Sequence, residues 1–180
     1  MSKFYTKITS RLQKFIEAQK IFFIATAPNS GRINLSPKGM DSFRVINENR
    51  VLWLNVTGSG NETAAHLNEN KRITIMFCSF DKVPNILRLY GKGKEIKPND
   101  ATWNKVISLF SETPGTRQIF DITIESAQTS CGMSIPFYEF KGERNDLNNW
   151  AENQGEENIK QYWEDKNQTS IDGLPTHILE

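Results

Sequence analysis

Ile8, Leu12, Phe15 and Ile16 recur at the i, i+4, i+7, i+8 spacing of one helical face, so an amphipathic helix comes first. The period then changes. Residues 21–27 (IFFIATA) form a short apolar run of strand length, and the turn-forming PNSGR that follows joins it to INLSP as a hairpin. Further strands are expected over 50–56 (RVLWLNV), 72–80 (RITIMFCSF), 85–96 (NILRLYGKGKEI) and 117–129 (RQIFDITIESAQT). In the last of these, Phe120, Ile122 and Ile124 alternate with Asp121, Thr123 and Glu125, the pattern of a strand with one dry and one wet face.

Between the last two of these strands, Trp103, Val106, Ile107 and Phe110 share a helical face, introduced by KPND and ended by Pro114, which predicts a helix covering the sheet. FYEFKG (137–142) reads as a final short strand. The chain then turns polar, but Leu147, Trp150, Ile159, Tyr162 and Trp163 are too many large apolar groups for a disordered tail. A helical segment over about 144–175 is therefore expected to dock on the body. A length of 180 residues with 37% hydrophobic content suits one buried core. The reading is a single domain over 1–180, mainly β with peripheral helices and about six strands at barrel-like spacing.

Charge and composition remove several classes of function. A formal net charge of +1 lacks the basic footprint that neutralises nucleic-acid phosphates, so no nucleic-acid partner is expected. The opening MSKFYTKITSRLQKF has no apolar leader and no window reaches membrane-spanning length, so the expected location is cytoplasmic, with no membrane partner. Cys78 and Cys131 have no clustered ligands at zinc spacing and read as reduced thiols. Cys131, in SCG, reads as a small buried residue at a strand turn, with a redox thiol as the alternative. Neither His66 nor His177 has a partner at a triad or metal spacing, so hydrolase and zinc chemistry are not expected. Without a leader, the sequons at Asn34, Asn55, Asn61 and Asn167 read as coincidence.

VLWLNVTGSGNETAAHL (51–67) carries the strongest candidate chemistry, because it leads from a strand through a glycine turn into a helix. SGNE fits the S-x-x-E capping box, with Ser59 as N-cap and Glu62 at the third helical position. The unpaired N–H groups and positive dipole end could equally bind a phosphate through Ser59, Gly60, Asn61 and Thr63, with Gly58 and Gly60 allowing close approach. Glu62 counts against the anion unless it points away or cations offset it. GSGNET is neither a dinucleotide fingerprint nor a P-loop. Candidate cations are Lys38 in the stiff SPKG turn, Arg44, and Arg88, which alternates with Leu87 and Leu89.

As an ordered series, FFIATA, INLSPKGMDSFRV, VLWLNVTGSGNETAAHLNENKRITIMFCSF, ILRLYGKG, SCGMSIPFYEF and NQTSIDGLP resemble the FMN-binding split β-barrel proteins related to pyridoxamine 5′-phosphate oxidase. The likeness runs from about Lys14 to Pro175. It is to the general branch and not to the oxidase proper, whose basic residue beside the glycine turn is replaced here by Asn61, Glu62 and Thr63. The resemblance implies a Greek-key split β-barrel and a homodimer with FMN between its subunits. It places Ser36 and Lys38 near the cofactor, Asn55, Thr57, Gly58, Ser59, Gly60, Asn61 and Thr63 around its phosphate and ribityl chain, and Arg88 as added charge.

No residue stands out as an acid or base for a substrate. A flavin would carry the electrons, with Lys38 or a backbone N–H stabilising its reduced anion. Three functions stay open at this point. They are an FMN-dependent oxidoreductase with a nicotinamide electron donor, a flavin, haem or deazaflavin carrier without turnover, and an empty barrel that serves as a dimeric interaction module.

Overall fold

A computed structural model describes residues 2–180. The elements in order are β1 (Lys3–Tyr5), α1 (Ser10–Ala18), β2 (Phe22–Thr26), β3 (Asn34–Lys38), β4 (Phe43–Asn47), β5 (Arg50–Val56), α2 (Glu62–Asn70), β6 (Arg72–Cys78), β7 (Ile86–Ile96), α3 (Trp103–Ile107), β8 (Thr116–Ser130) and α4 (Asp146–Lys166). All strand pairs are antiparallel, and the strands run β3-β2-β6-β7-β8-β5-β4, with β1 added to β8. β3 and β4 are neighbours in sequence but end up at opposite edges, so the sheet curls into a barrel that stays open between them. This is a split β-barrel.

The main core lies inside the curl, where Ile24, Trp53, Ile75, Phe77, Leu87, Leu89, Phe120 and Ile122 meet Leu12 and Ile16 of α1 and Ala64 and Leu67 of α2. A second cluster on the outer face joins Leu52, Leu54, Ile96 and Ile119 to Val106 and Phe110. β5 serves both, which is why Val51 to Asn55 are all buried and its sequence is a continuous apolar run. β8 follows its alternation, with Ile122 and Ile124 buried and Thr123 and Glu125 exposed. At Gly91 the β7–β8 pairing slips by one residue, and a Cβ there would lie 2.1 Å from the Thr123 carbonyl oxygen, so only glycine fits that bulge.

Several expectations need correction. A short strand, β1, precedes the helix, and β4 is a separate strand that the apolar pattern did not reveal. Residues 137–142 form no strand. Phe137, Tyr138 and Phe140 are exposed there, and among the described residues the only sheet-side backbone contact is the Tyr138 N–H to the Phe80 carbonyl, beyond the end of β6. Cys131 is exposed rather than buried, because it lies one residue beyond β8, where the chain has left the sheet. Ser59 does not cap α2. The N-cap is Asn61, and it makes no side-chain cap bond. Among the described residues no helix is long and apolar enough to cross a membrane.

Candidate functional site

On β3, Asn34, Ser36 and Lys38 pair with Thr26, Ile24 and Phe22 of β2, all of which turn into the barrel. These three polar side chains therefore face inward at the edge where the barrel is open. Opposite them, β5 contributes Trp53 and Asn55, and the chain then runs through Gly58, Ser59 and Gly60 into α2. The result is a polar cleft of about 480 Å³ that brings together Ser36, Lys38, Asn55, Gly58, Ser59, Gly60, Asn61 and Thr63. A Cβ built on Gly58 would meet nothing within 4 Å, so the glycine leaves the cleft floor open.

Two of the residues implied by the resemblance lie differently. Thr57 adjoins the cleft in a side hollow, but its hydroxyl donates to the Gly115 carbonyl at 2.8 Å and accepts from Trp163 Nε1 at 2.9 Å, which turns it toward the C-terminal helix. Arg88 is not among the lining residues. It sits on the outer face of β7, opposite the buried Leu87 and Leu89, and donates to Ser130 Oγ at 3.1 Å. Arg44, also on the outside, forms an ion pair with Asp41.

The helix start explains why the capping box fails. Glu62 lies beside Gly60 but makes no cap bond there, because its two carboxylate oxygens accept the Ile171 N–H at 3.0 and 3.1 Å. Asn61 is 2% exposed and its amide pairs with Gln118, whose Nε2 donates to Asn61 Oδ1 at 3.0 Å. With neither side chain folded over them, the first N–H groups of α2 lack the side-chain acceptors that usually satisfy them.

Among the described residues three cations line the cleft, but Arg32 is paired with Asp172, which leaves Lys38 and Arg117 to set its electrostatics. Lys38 Nζ lies 5.2 Å from the centre of the Trp53 ring. Burial, and then the charge of Arg117, lower the Lys38 pKa to about 8. Arg117 was missed in the sequence. The phase that puts Phe120 and Ile122 inside puts Arg117 outside with Asp121, where a solvated charge is expected, but the residue is only 4% exposed because the C-terminal segment covers it. Its guanidinium donates to the Gly60 carbonyl from both terminal nitrogens, at 3.2 and 3.3 Å, and to Asn167 Oδ1 at 2.6 Å. Its Nε is buried with no partner among the described residues. Burial lowers its pKa to about 10, opposed by the pull of Glu95, so it remains a cation at neutral pH.

Neither histidine lines the cleft. His66 is 1% exposed and shares a 3.0 Å hydrogen bond with Thr26, and His177 lies beside Glu180. A second, mostly apolar hollow of about 700 Å³ adjoins the polar cleft at Lys38 and is lined by Met40, Phe80, Tyr138, Phe140 and Leu147 among others. The turn that follows Lys38 holds Met40 and Asp41 at φ of 64° and 50°. Positive φ at a methionine is uncommon and marks a constrained turn.

Fold and site together define a class, the antiparallel split barrels that carry a polar cleft at their open edge. The sequence profile of the pyridoxamine 5′-phosphate oxidase family matches residues 8–131, and the chain belongs to that family. It is similar to the pyridoxamine 5′-phosphate oxidase family protein ustO of Aspergillus flavus, with 35% identity over 195 residues that span 97% of this chain and 78% of that protein. Among solved structures, a putative pyridoxamine 5′-phosphate oxidase from Lactobacillus delbrueckii aligns with a TM-score of 0.56 and 18% identity, over 68% of this chain and 94% of the other. HutZ, the haem-storage protein of Vibrio cholerae, aligns at 0.50 with 17% identity, over 71% and 98%. At such identities the two structures speak for the fold alone.

Proposed function

We propose that the protein is an FMN-binding flavoprotein, active as a homodimer, that acts as an oxidoreductase on a small substrate. The observation that carries this reading is the meeting, in one cleft, of a helix N-terminus, a glycine turn and two cations, Lys38 and Arg117, neither of which has a carboxylate within ion-pair distance among the described residues. Glu62 also lines the cleft, where its oxygens are engaged by the Ile171 N–H. A phosphate monoester answers all of these features at once.

The residues present fit such a group. The partnerless buried Nε of Arg117 and the lowered pKa of Lys38 both mark positive charge held in a poorly solvated place. Gly58, Ser59, Asn61 and Thr63 would hold the phosphate end, with Ser36 toward the flavin and Lys38 between the two, its charge acting on the phosphate as well. The flavin itself supplies the electron transfer. Lys38 stands at the junction of the polar and apolar hollows, where its ammonium offsets negative charge and its neutral form can take up a proton. The apolar hollow beside it would take a small, largely apolar substrate.

Dimerisation is supported by exposed apolar groups that a monomer leaves uncovered, Ile33 at 77% and Leu35 at 63% on and beside edge strand β3, and Met133 at 82%. A flavin reading is favoured over haem because both histidines, the usual axial ligands, lie away from the cleft. The test is direct titration of purified protein with FMN and with riboflavin, followed by sedimentation. FMN should bind more tightly than riboflavin, and the species should have twice the 20.6 kDa chain mass. Anaerobic bleaching by a nicotinamide would identify the electron donor. Equal affinity for the two flavins would overturn the phosphate assignment.

A further inference from the structure

The cleft is not completed by the barrel. In its glycine turn the Gly58 carbonyl is tied by Asn167 and the Gly60 carbonyl by Arg117, two side chains that are bonded to each other. Asn167, which follows α4, is 0% exposed. Its Nδ2 donates to the Gly58 carbonyl at 3.1 Å, and its Oδ1 accepts from Arg117 at 2.6 Å. Arg117 in turn donates to the Gly60 carbonyl. Asn167 is fixed from behind, since its own carbonyl accepts from Thr176 Oγ1 at 2.6 Å and the Thr176 N–H donates to Gln168 O at 2.9 Å.

Peptide planarity turns this brace into a statement about the site. In a trans peptide the N–H points opposite to the C=O, so holding the Gly58 and Gly60 carbonyls backward aims the Ser59 and Asn61 N–H groups forward. A carbonyl that accepts from a guanidinium is also polarised, which strengthens its peptide N–H as a donor.

We propose that Asn167, acting directly on Gly58 and through Arg117 on Gly60, is a positioning residue of the cofactor cleft, holding the Gly58–Asn61 turn in the shape that presents its amides to an anion. The proposal rests on the flavin reading for the identity of that anion. It assigns part of the site to a segment far away in sequence, and it gives Arg117 a double task. The guanidinium shapes the turn through hydrogen bonds and places a positive charge beneath it. The basic residue that the turn itself lacks is thus replaced from below.

Asn167→Ala removes both arms of the brace, and Arg117→Lys keeps the charge but loses the fork that spans Gly60 and Asn167. Each variant is titrated with FMN and with riboflavin, and backbone amide exchange is followed in the ligand-free dimer. Both variants should lose about tenfold or more in FMN affinity, as expected for hydrogen bonds involving a charged group, with a much smaller loss for riboflavin. Exchange at Ser59 to Thr63 should quicken while the β6–β7 strands keep their protection, which reports that the barrel is still folded. An equal loss for both flavins, or Arg117→Lys behaving like wild type, would overturn the brace. If the wild type fails to prefer FMN, the phosphate reading falls by itself. The exchange data then judge the brace alone, and unchanged exchange at the turn in Asn167→Ala overturns it.

Discussion

Replacing Lys38 by methionine separates a working ammonium from a structural one, because the two roles predict opposite signs. In the ligand-free protein the ammonium has the Trp53 ring as its partner at 5.2 Å. Such a contact contributes about 0.5–2 kcal/mol. Against it stands the burial that lowers the pKa from 10.5 to about 8, which means that the charged form is the disfavoured one in the fold. Methionine keeps most of the length and drops the charge, so the ligand-free melting temperature should hold or rise.

The pH dependence follows from the same shift. Between pH 8 and 10.5 the unfolded chain holds the Lys38 proton more tightly than the native protein does, so this residue makes stability rise with pH across that window, and the variant should lose the rise. FMN binding runs the other way. A phosphate favours the ammonium, so wild-type affinity should fall above pH 8, by up to about tenfold per pH unit for one linked proton. At neutral pH the variant should bind FMN more weakly by roughly 1.5–3 kcal/mol, which is about 10- to 150-fold, with a smaller loss for riboflavin. Calorimetric titration from about pH 6.5 to 9.5, above the second phosphate pKa of about 6, together with thermal melts, measures both effects. A lower melting temperature with unchanged FMN affinity would refute the reasoning and leave Lys38 as a packing residue over Trp53.

Glu62→Gln keeps an oxygen for the Ile171 N–H and removes a negative charge at the helix start. It should raise FMN affinity by about fivefold while costing about 0.3–1 kcal/mol of ligand-free stability through the lost dipole interaction, both read by titration and melting. Arg88→Ala should leave flavin binding unchanged if each cleft is built by one chain; weaker FMN binding with the dimer intact would show that the residue reaches the cofactor from the second subunit. Trp163→Phe keeps the ring and loses the Nε1 hydrogen bond to Thr57, so chemical denaturation should show a loss of about 1 kcal/mol with little effect on flavin affinity.

The parts of this fold that were legible in the sequence are those set by local periodicity. The α1 stripe, the β8 alternation and the apolar run of β5 each follow from which faces are buried, and the ordered motifs then pointed to the split barrel. β4 was not legible because Phe43, Arg44, Val45 and Ile46 are all half-buried at a sheet edge, which erases the alternation that betrays a strand. Around the cleft, Gly58, Ser59, Gly60, Asn61, Thr63 and Lys38 were legible from the glycine turn, the helix start and the stiff SPKG turn, and the family likeness added Asn55 and Thr57. Arg117 escaped because its burial depends on α4 and the loop after it, long-range contacts with no local signature. The false capping box has the same origin. Ser59 and Glu62 have the right spacing, but Ile171, far along the chain, competes for the carboxylate and wins.

That competition ties the remaining features of the site together. A carboxylate at the start of α2 stabilises the helix but repels an anion at the same place, and the chain resolves the conflict without discarding either. The Ile171 N–H engages both Glu62 oxygens, and the loop that carries it is pinned again by the Arg32–Asp172 ion pair and by Asp172 accepting the Arg32 N–H at 2.7 Å. Arg32 lies just before β3, so this loop also spans the two walls of the cleft. Anion-facing charge is supplied by Lys38 from one wall and by Arg117 from beneath, while the turn between them carries small, polar and backbone groups only. A turn freed from carrying its own cation can vary in sequence, provided that the strand and the C-terminal loop keep theirs. Charge at such a site is therefore better sought in the elements that enclose the glycine turn than within the turn itself.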